Sequence, residues 1–237
     1  ATKNSLDIQK VTNMRILVTG SGAGLGLAIA TALLAAGHEV LKYDLKEGMD
    51  VTNPPADLEY QVEELDGLIN CAGINCNEWF EGITLASLAK VMNVNAFSMV
   101  HMTQELLGPL KASKGFVLNI VSNASHIPMT SSLAYNASKA AAAMITRQMA
   151  HELTPKYGIT VFSISPNKLA GTEMSKQIED NVVATRGWTR EYAAEYQKKA
   201  LMHGLETPPQ AIADYIVHLL NTGAWKYMSG TDIPFGK

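Results

Sequence analysis

Cysteine is nearly missing from this chain of 237 residues, with Cys71 and Cys76 the whole supply. Two thiols make no disulfide framework, so a reducing, cytoplasmic setting with free packed side chains is expected. Charge of one sign is missing too. With 19 basic against 22 acidic residues, a formal charge of −3 and no basic run, the chain offers no footprint for nucleic acid. Long apolar runs are absent: the longest, Leu25 to Ala36, is too short to span a bilayer and reads as a core helix. No charged-then-apolar leader, repeat or low-complexity segment stands out. None of the six histidines (His38, His101, His126, His151, His203, His218) keeps metal-ligand spacing with another ligand, so no metal is expected. Residues 1–13 are polar and aperiodic and read as a flexible leader, with Met14 able to serve as a start. What is present suffices for one sizeable core, since 47% of residues are hydrophobic and 17% charged. A single domain over residues 14–237 follows.

Order begins at Arg15. A short buried strand, Arg15 to Thr19, runs into Gly20-Ser21-Gly22-Ala23-Gly24-Leu25-Gly26, then an apolar helix ending at Gly37. A second strand, Glu39 to Tyr43, ends on Asp44. Strand, glycine turn, helix, strand and acid is the order of a dinucleotide site. The glycines let backbone N–H groups approach a pyrophosphate, which the positive end of the helix favours. Asp44 stands where a carboxylate accepts hydrogen bonds from the adenosine ribose, and it would repel a 2′-phosphate. NAD is therefore expected over NADP, although Lys42 and Lys46 lie close by. The plainer alternative for Asp44 is a solvated strand-end carboxylate.

The chemistry is concentrated between Gly115 and Lys139. Phe116 to Val121 is apolar and β-branched, a buried strand that ends just before Ser122. Tyr135 and Lys139 open an alanine-rich helix and, four apart, share one face of it. A free phenol titrates near 10. An ammonium beside it favours the phenolate, so Tyr135 would exchange a proton with an alcohol or carbonyl while Ser122 holds the oxygen. Taken alone, a Tyr and a Lys at this spacing are as readily a half-buried tyrosine and a snorkelling lysine. Their company gives them meaning.

Other elements are placed more coarsely. Met49 to Thr52 reads as a short third strand stopped by Pro54-Pro55, with a helix near Asp57 to Glu64. Gly67 to Asn70 is another strand, turning at Cys71-Ala72-Gly73, and Asn70 either braces the fold or lines the cofactor. Thr84 looks like the N-cap of one long helix to Leu110. Its Asn95 needs a partner if buried, a water or a backbone carbonyl; otherwise it is a surface amide. Ile159 to Ile164 is a strand, Thr207 caps a final helix with proline in its first turn, and Gly230 to Ile233 supplies an edge strand.

These residues together resemble the short, compact branch of the short-chain dehydrogenase/reductases, from Arg15 to about Gly230. The family's T-G-x-x-x-G-x-G falls on Thr19 to Gly26, its N-N-A-G on Asn70-Cys71-Ala72-Gly73, and its Y-x-x-x-K on Tyr135 and Lys139. The resemblance implies a doubly wound, Rossmann-type α/β fold: a mostly parallel sheet of about seven strands with helices on both faces. It implies a catalytic set of Asn95, Ser122, Tyr135 and Lys139, with Tyr135 the acid/base and Lys139 on the nicotinamide ribose. Cofactor contacts would come from Gly20, Ser21, Gly24, Leu25, Gly26, Asp44, Asp50, Val51, Asn70, Ala72, Gly73, Tyr135, Lys139, Pro166 and Thr172. A lid over residues 173–206, carrying Trp188, Tyr192 and Tyr196, would close on the substrate; the alternative is that these aromatics pack the lid on its own core.

The expected activity is NAD(H)-dependent hydride transfer between a secondary alcohol and a ketone, with a small-molecule substrate, no membrane partner, and a homodimer or homotetramer. Two rivals stay open: a non-catalytic dinucleotide sensor on the same fold, and a nucleotide-sugar epimerase or dehydratase. Three departures from the family pattern are visible: Pro166-Asn167 for its P-G, Thr172 one residue late, and a carboxyl end of Asp232 to Lys237 in place of glycines. His126, four residues after Ser122, is either a substrate contact or a loop-surface side chain.

Overall fold

A computed structural model describes residues 13–199, 201 and 203–236; of the expected leader, residues 1–13, all but Asn13 lies outside them. In chain order, β1 (Arg15–Thr19), α1 (Gly24–Ala35) and β2 (Glu39–Tyr43) are followed by a one-turn α2 (Leu58–Gln61) and β3 (Gly67–Asn70). Next come α3 (Leu85–Met92), a π-helical turn at Asn93–Phe97, α4 (Ser98–Glu105), α5 (Leu107–Ser113) and β4 (Phe116–Ile120). The 25-residue α6 (Leu133–Tyr157), β5 (Thr160–Pro166), α7 (Glu173–Arg186), α8 (Arg190–Lys199), α9 (Pro209–Thr222) and β6 (Asp232–Phe235) complete the chain.

The strands form one parallel sheet in the order β2-β1-β3-β4-β5-β6. Sequence periodicity cannot assign faces in such buried strands, but the packing does. Ile16, Val18, Phe116, Leu118, Ile120, Phe162 and Ile164 point to the layer of α1 and α9. Leu17, Leu68, Val117 and Val161 point the other way, onto α4, α5 and α6. Helices on both faces of a parallel sheet make this the doubly wound α/β architecture.

Several expectations are corrected. Among the described residues the sheet has six strands, because Met49–Thr52 is a turn: the Asp50 carboxylate accepts from Thr52 N and Oγ1, each at 2.8 Å, which bends the chain before Pro54. The single helix expected from Thr84 to Leu110 is three pieces. Thr84 does cap it, accepting from Ser87 N at 3.0 Å. Pro109 then breaks it, since its ring conflicts with the carbonyl four residues back, at Glu105, where α4 stops. The last helix starts one proline later than expected, with Pro209 in first position. Thr207 is not its cap; its backbone pairs with Lys168 and Ala170 at 2.9 Å each. The edge strand is likewise shifted, to Asp232–Phe235, with Gly230 in a left-handed turn before it. No helix among the described residues is long and apolar enough to cross a membrane.

Candidate active site

The strand ends fix the site. β1 delivers Thr19, whose hydroxyl accepts from the amides of Cys71 at 3.0 Å and Ala72 at 3.1 Å, clamping the turn after β3. The glycine loop follows. Gly20 is left-handed (φ +67°), and a Cβ on Gly26 would lie 2.1 Å from the Gly20 carbonyl oxygen, so the loop folds back too tightly for any side chain there. α1 then starts at Gly24 with no side-chain cap and no acid in its first turn, which leaves its amides free and its positive end uncompensated. That is a fit for a pyrophosphate. Other loop side chains turn inward: Ser21 Oγ accepts from Tyr43 N at 3.1 Å, and Leu25 packs in the core. They could meet a cofactor through backbone only.

Asp44 closes the other side of this cradle. One carboxylate oxygen accepts from Gly22 N at 2.8 Å and the other from Lys46 N at 2.9 Å. The pair Asp50 and Val51 is less open than expected. Val51 is buried with Tyr43, Leu58 and Val62, and the Asp50 carboxylate is engaged by Thr52. Asn70 braces: its Nδ2 donates to Asn119 Oδ1 at 2.9 Å, and Asn119 donates on to Thr146 Oγ1 at 2.9 Å, tying β3 and β4 to α6.

Tyr135 lies in the first turn of α6 and Lys139 one turn on. The Lys139 Nζ is 5.9 Å from the Tyr135 ring centre and donates to the Ile120 carbonyl at 2.9 Å, at the end of β4. Ser122, two residues past that carbonyl, accepts from Ala124 N at 3.1 Å. Asn95, fully buried in the π-helical turn, finds the backbone partner it needs. Its Oδ1 accepts from Ile74 N at 2.8 Å, and its Nδ2 donates to Ile74 O at 2.9 Å and to Ser138 Oγ at 3.0 Å. Gly73 lies beside both polar heads, a Cβ there falling 3.4 Å from Asn95 Oδ1 and 3.9 Å from Lys139 Nζ. π-helical turns recur where a helix must aim one side chain.

The electrostatics correct one expectation. Burial pushes the Tyr135 phenol above its ordinary value, partly offset by the Ser122 hydroxyl, and the ammonium does not reverse this. Lys139 itself is pulled down to about 8 by burial, with the Cys71 thiol acting the other way. Burial likewise pushes Cys71 up to about 12, so it is an unreactive packed thiol. Desolvation dominates both members of the Tyr–Lys pair.

Four residues outside the expected set complete the frame: Thr19, Asn119, Asn136 and Ser138. Asn136, next to Tyr135, donates to the carbonyls of Ala124 and Ile127 at 2.6 Å each, holding the loop after Ser122 against α6. Ser138 links Asn95 to the Tyr135 carbonyl, which its hydroxyl meets at 2.7 Å. For Thr19, Asn136 and Ser138 the available signal was a polar residue beside a motif residue; for Asn119 it was a lone polar residue inside an apolar strand. Pro166 ends β5, paired with Phe235. Thr172 lies 3.7 Å from a Cβ position on Gly24, but its hydroxyl caps α7, accepting from Ser175 N at 3.0 Å. His126 is a loop-surface residue whose Nε2 sits 3.5 Å from Asp232 Oδ2.

The segment after Thr172 folds as α7 and α8. Lys168 binds Glu179 at 2.6 Å, Glu206 at 2.5 Å and Gln197, gathering both helices at the end of β5. Trp188 packs on Tyr192 and Tyr196 with ring centres 5.0 and 4.9 Å apart, so these aromatics pack mainly on one another.

A parallel sheet with helices on both faces, a glycine turn opening α1 and an acid closing β2 define a dinucleotide-binding α/β protein of the doubly wound class. The model of the short chain dehydrogenase family matches residues 40–182, over half the chain. The chain belongs to that family and is an oxidoreductase. Among relatives, the 2-(S)-hydroxypropyl-CoM dehydrogenase 3 of Xanthobacter autotrophicus is 27% identical over 91% of this chain and 92% of its own. The sorbitol-6-phosphate 2-dehydrogenase of Klebsiella pneumoniae is 28% identical over 94% and 95%. Of solved structures, ligand-free Thermoplasma acidophilum aldohexose dehydrogenase superposes with a TM-score of 0.81 at 19% identity, covering 94% of this chain and 92% of that one. A 4-hydroxyisoleucine dehydrogenase complexed with NADH gives 0.81 at 24% identity, covering 94% and 97%. These superpositions show the fold.

Proposed function

We propose that the protein interconverts a secondary alcohol and a ketone, with Tyr135 as general acid/base. The observation that carries this is the placement of Tyr135, Lys139 and Ser122 around the carboxyl end of β4, with Lys139 tethered to the Ile120 carbonyl. In the oxidative direction the Tyr135 phenolate takes the hydroxyl proton as the C–H hydrogen leaves as hydride; in reduction the phenol returns the proton to the carbonyl oxygen. Ser122 donates to that oxygen and fixes its position. Asn95, held on both sides by Ile74, keeps the loop beneath Lys139 in place. Bound nicotinamide dinucleotide supplies or accepts the hydride.

The amides of Gly24 and Gly26 at the α1 N-terminus and the turn of Ala72 to Gly73 would hold it, with Pro166 and Thr172 on the far side, while the Gly20 amide is spent on the Tyr43 carbonyl at 2.8 Å. NAD is the favoured form, because the Asp44 carboxylate stands at the loop by Gly22 and would repel a 2′-phosphate. Residues 14–237 act as one dinucleotide-binding domain with residues 173–206 as its lid. We place the protein in the cytoplasm as a homodimer or homotetramer.

The test is Tyr135→Phe. Carbonyl-dependent NADH oxidation across a ketone panel should fall by about 1000-fold while NADH binding stays within about twofold. A variant that keeps its rate removes Tyr135 from the reaction. A wild-type protein that binds NADH but turns over nothing is a sensor.

A further inference from the structure

Arg186 is the last residue of α7, and it is a cation without an acid. Among the described residues no carboxylate lies within salt-bridge reach of its guanidinium, and Asp180 of the same helix is paired with Arg190 at 2.7 Å. A lysine or arginine at a helix carboxyl end usually complements that helix's own dipole. Here the side chain turns away from α7: Nη2 donates to the Thr130 carbonyl and Nε reaches Ser131 Oγ at 3.4 Å. Nη1 makes no hydrogen bond among the described residues. The plane rests on the Trp188 ring at 4.8 Å. Burial lowers its pKa, so the charge is held partly out of water.

Its position gives that charge a use. Thr130 and Ser131 form the strap that leads into α6, with Ser131 in a left-handed conformation (φ 55°). Ser132 follows as the N-cap residue of α6, three residues before Tyr135. The same strap pairs with Glu78, whose amide donates to the Ser131 carbonyl at 2.9 Å. The Glu78 carboxylate turns to Ser87, at 2.8 Å, and does not answer the guanidinium. The lid meets this rim once more through Trp79, whose indole donates to the Thr185 carbonyl at 2.7 Å. Arg186 is thus fixed on the strap that leads into the helix of Tyr135.

We infer that Arg186 anchors the substrate by an oxyanion (a carboxylate, phosphate or sulfonate) at the end remote from the reacting carbonyl. This rests on the proposed alcohol–ketone reaction and names its substrate class. A guanidinium suits the role because its planar donors match an oxyanion in pairs, and the Trp188 platform and the strap contacts fix its orientation in advance.

The experiment uses matched carbonyl pairs with NADH: dihydroxyacetone and its phosphate, fructose and fructose 6-phosphate, butanone and acetoacetate. Wild type should show kcat/KM at least about tenfold higher for anionic members. Arg186→Met should lower kcat/KM for those about 100-fold, mainly through KM, and leave neutral members within about threefold. Arg186→Lys, which keeps charge but loses the fork, should fall between. Equal losses for both members of a pair would make Arg186 a support of the lid and overturn the inference, as would turnover without anionic preference. Both outcomes leave the reductase reading standing. No turnover with any carbonyl, while NADH still binds, sinks both.

Discussion

Asn95 and Ile74 are joined by two hydrogen bonds across 21 residues of sequence, the carboxamide of one reading both backbone groups of the other. Asn95 is completely buried, so neither bond is exchanged with water on its side. Asn95→Ala strands the Ile74 amide and carbonyl and removes a donor from Ser138. The expected cost is about 2–3 kcal/mol in chemical denaturation, with a loss of turnover as the loop beneath Lys139 loosens. An unchanged denaturation midpoint would mean the pair carries no stability.

Asp44 should set dinucleotide preference. In Asp44→Ala the NADP/NAD ratio of kcat/KM is expected to rise by at least about tenfold, because the repulsion toward a 2′-phosphate is gone. Gly22→Ala probes the same place from the other side: a Cβ there would lie 2.7 Å from the Asp44 carboxylate, displacing it. That variant should raise KM for NAD more than for the carbonyl substrate. Identical ratios in wild type and Asp44→Ala would assign preference to another group.

Buried Lys139 has a sign that titration can read. Its pKa drops from 10.5 to about 8 in the folded chain, so the folded state binds fewer protons than the unfolded one between those values. Stability should therefore rise with pH across that window, and the burial penalty is complete below pH 8. Relative to Lys139→Met, wild type should gain up to about 3 kcal/mol between pH 7.5 and 10.5. A flat difference would show that Lys139 keeps its ordinary proton affinity. The raised Tyr135 phenol predicts that alcohol oxidation quickens toward alkaline pH and carbonyl reduction slows, measured as initial rates in both directions.

The carboxyl end has a structural job. Asp232 Oδ1 accepts from Ser163 at 2.6 Å and Ser165 at 2.7 Å, both serines buried in β5, so β6 is pinned by a carboxylate instead of by glycine. Asp232→Ala should cost about 2–4 kcal/mol and lower Tm by about 5–10 °C. His126→Ala, whose ring is exposed, should cost under about 1 kcal/mol. Comparable losses for the two would show that the histidine contact, not the serines, holds the strand.

Much of this site was legible because local rules act over short spans. Thr19 to Gly26 reads as strand-turn-helix from the glycines alone, and four residues between Tyr135 and Lys139 are one helical turn wherever the helix lies. The third strand failed for an equally local reason, since the Asp50 carboxylate closes a turn on Thr52 and the β-branched Val51 and Thr52 hid it. The break at Pro109 was written in the sequence and masked by the apolar run around it.

The chain order alone determined the class of fold, the glycine cradle, the acid at the end of β2 and the helical register of phenol and ammonium. Tertiary structure decided what those groups experience. That Asn95 meets Ile74, that Asp232 meets two serines, and that Arg186 meets no acid among the described residues all depend on which distant segments are brought together. So does the direction in which Tyr135 and Lys139 shift, because desolvation is set by the atoms packed around a group and not by its neighbours in sequence.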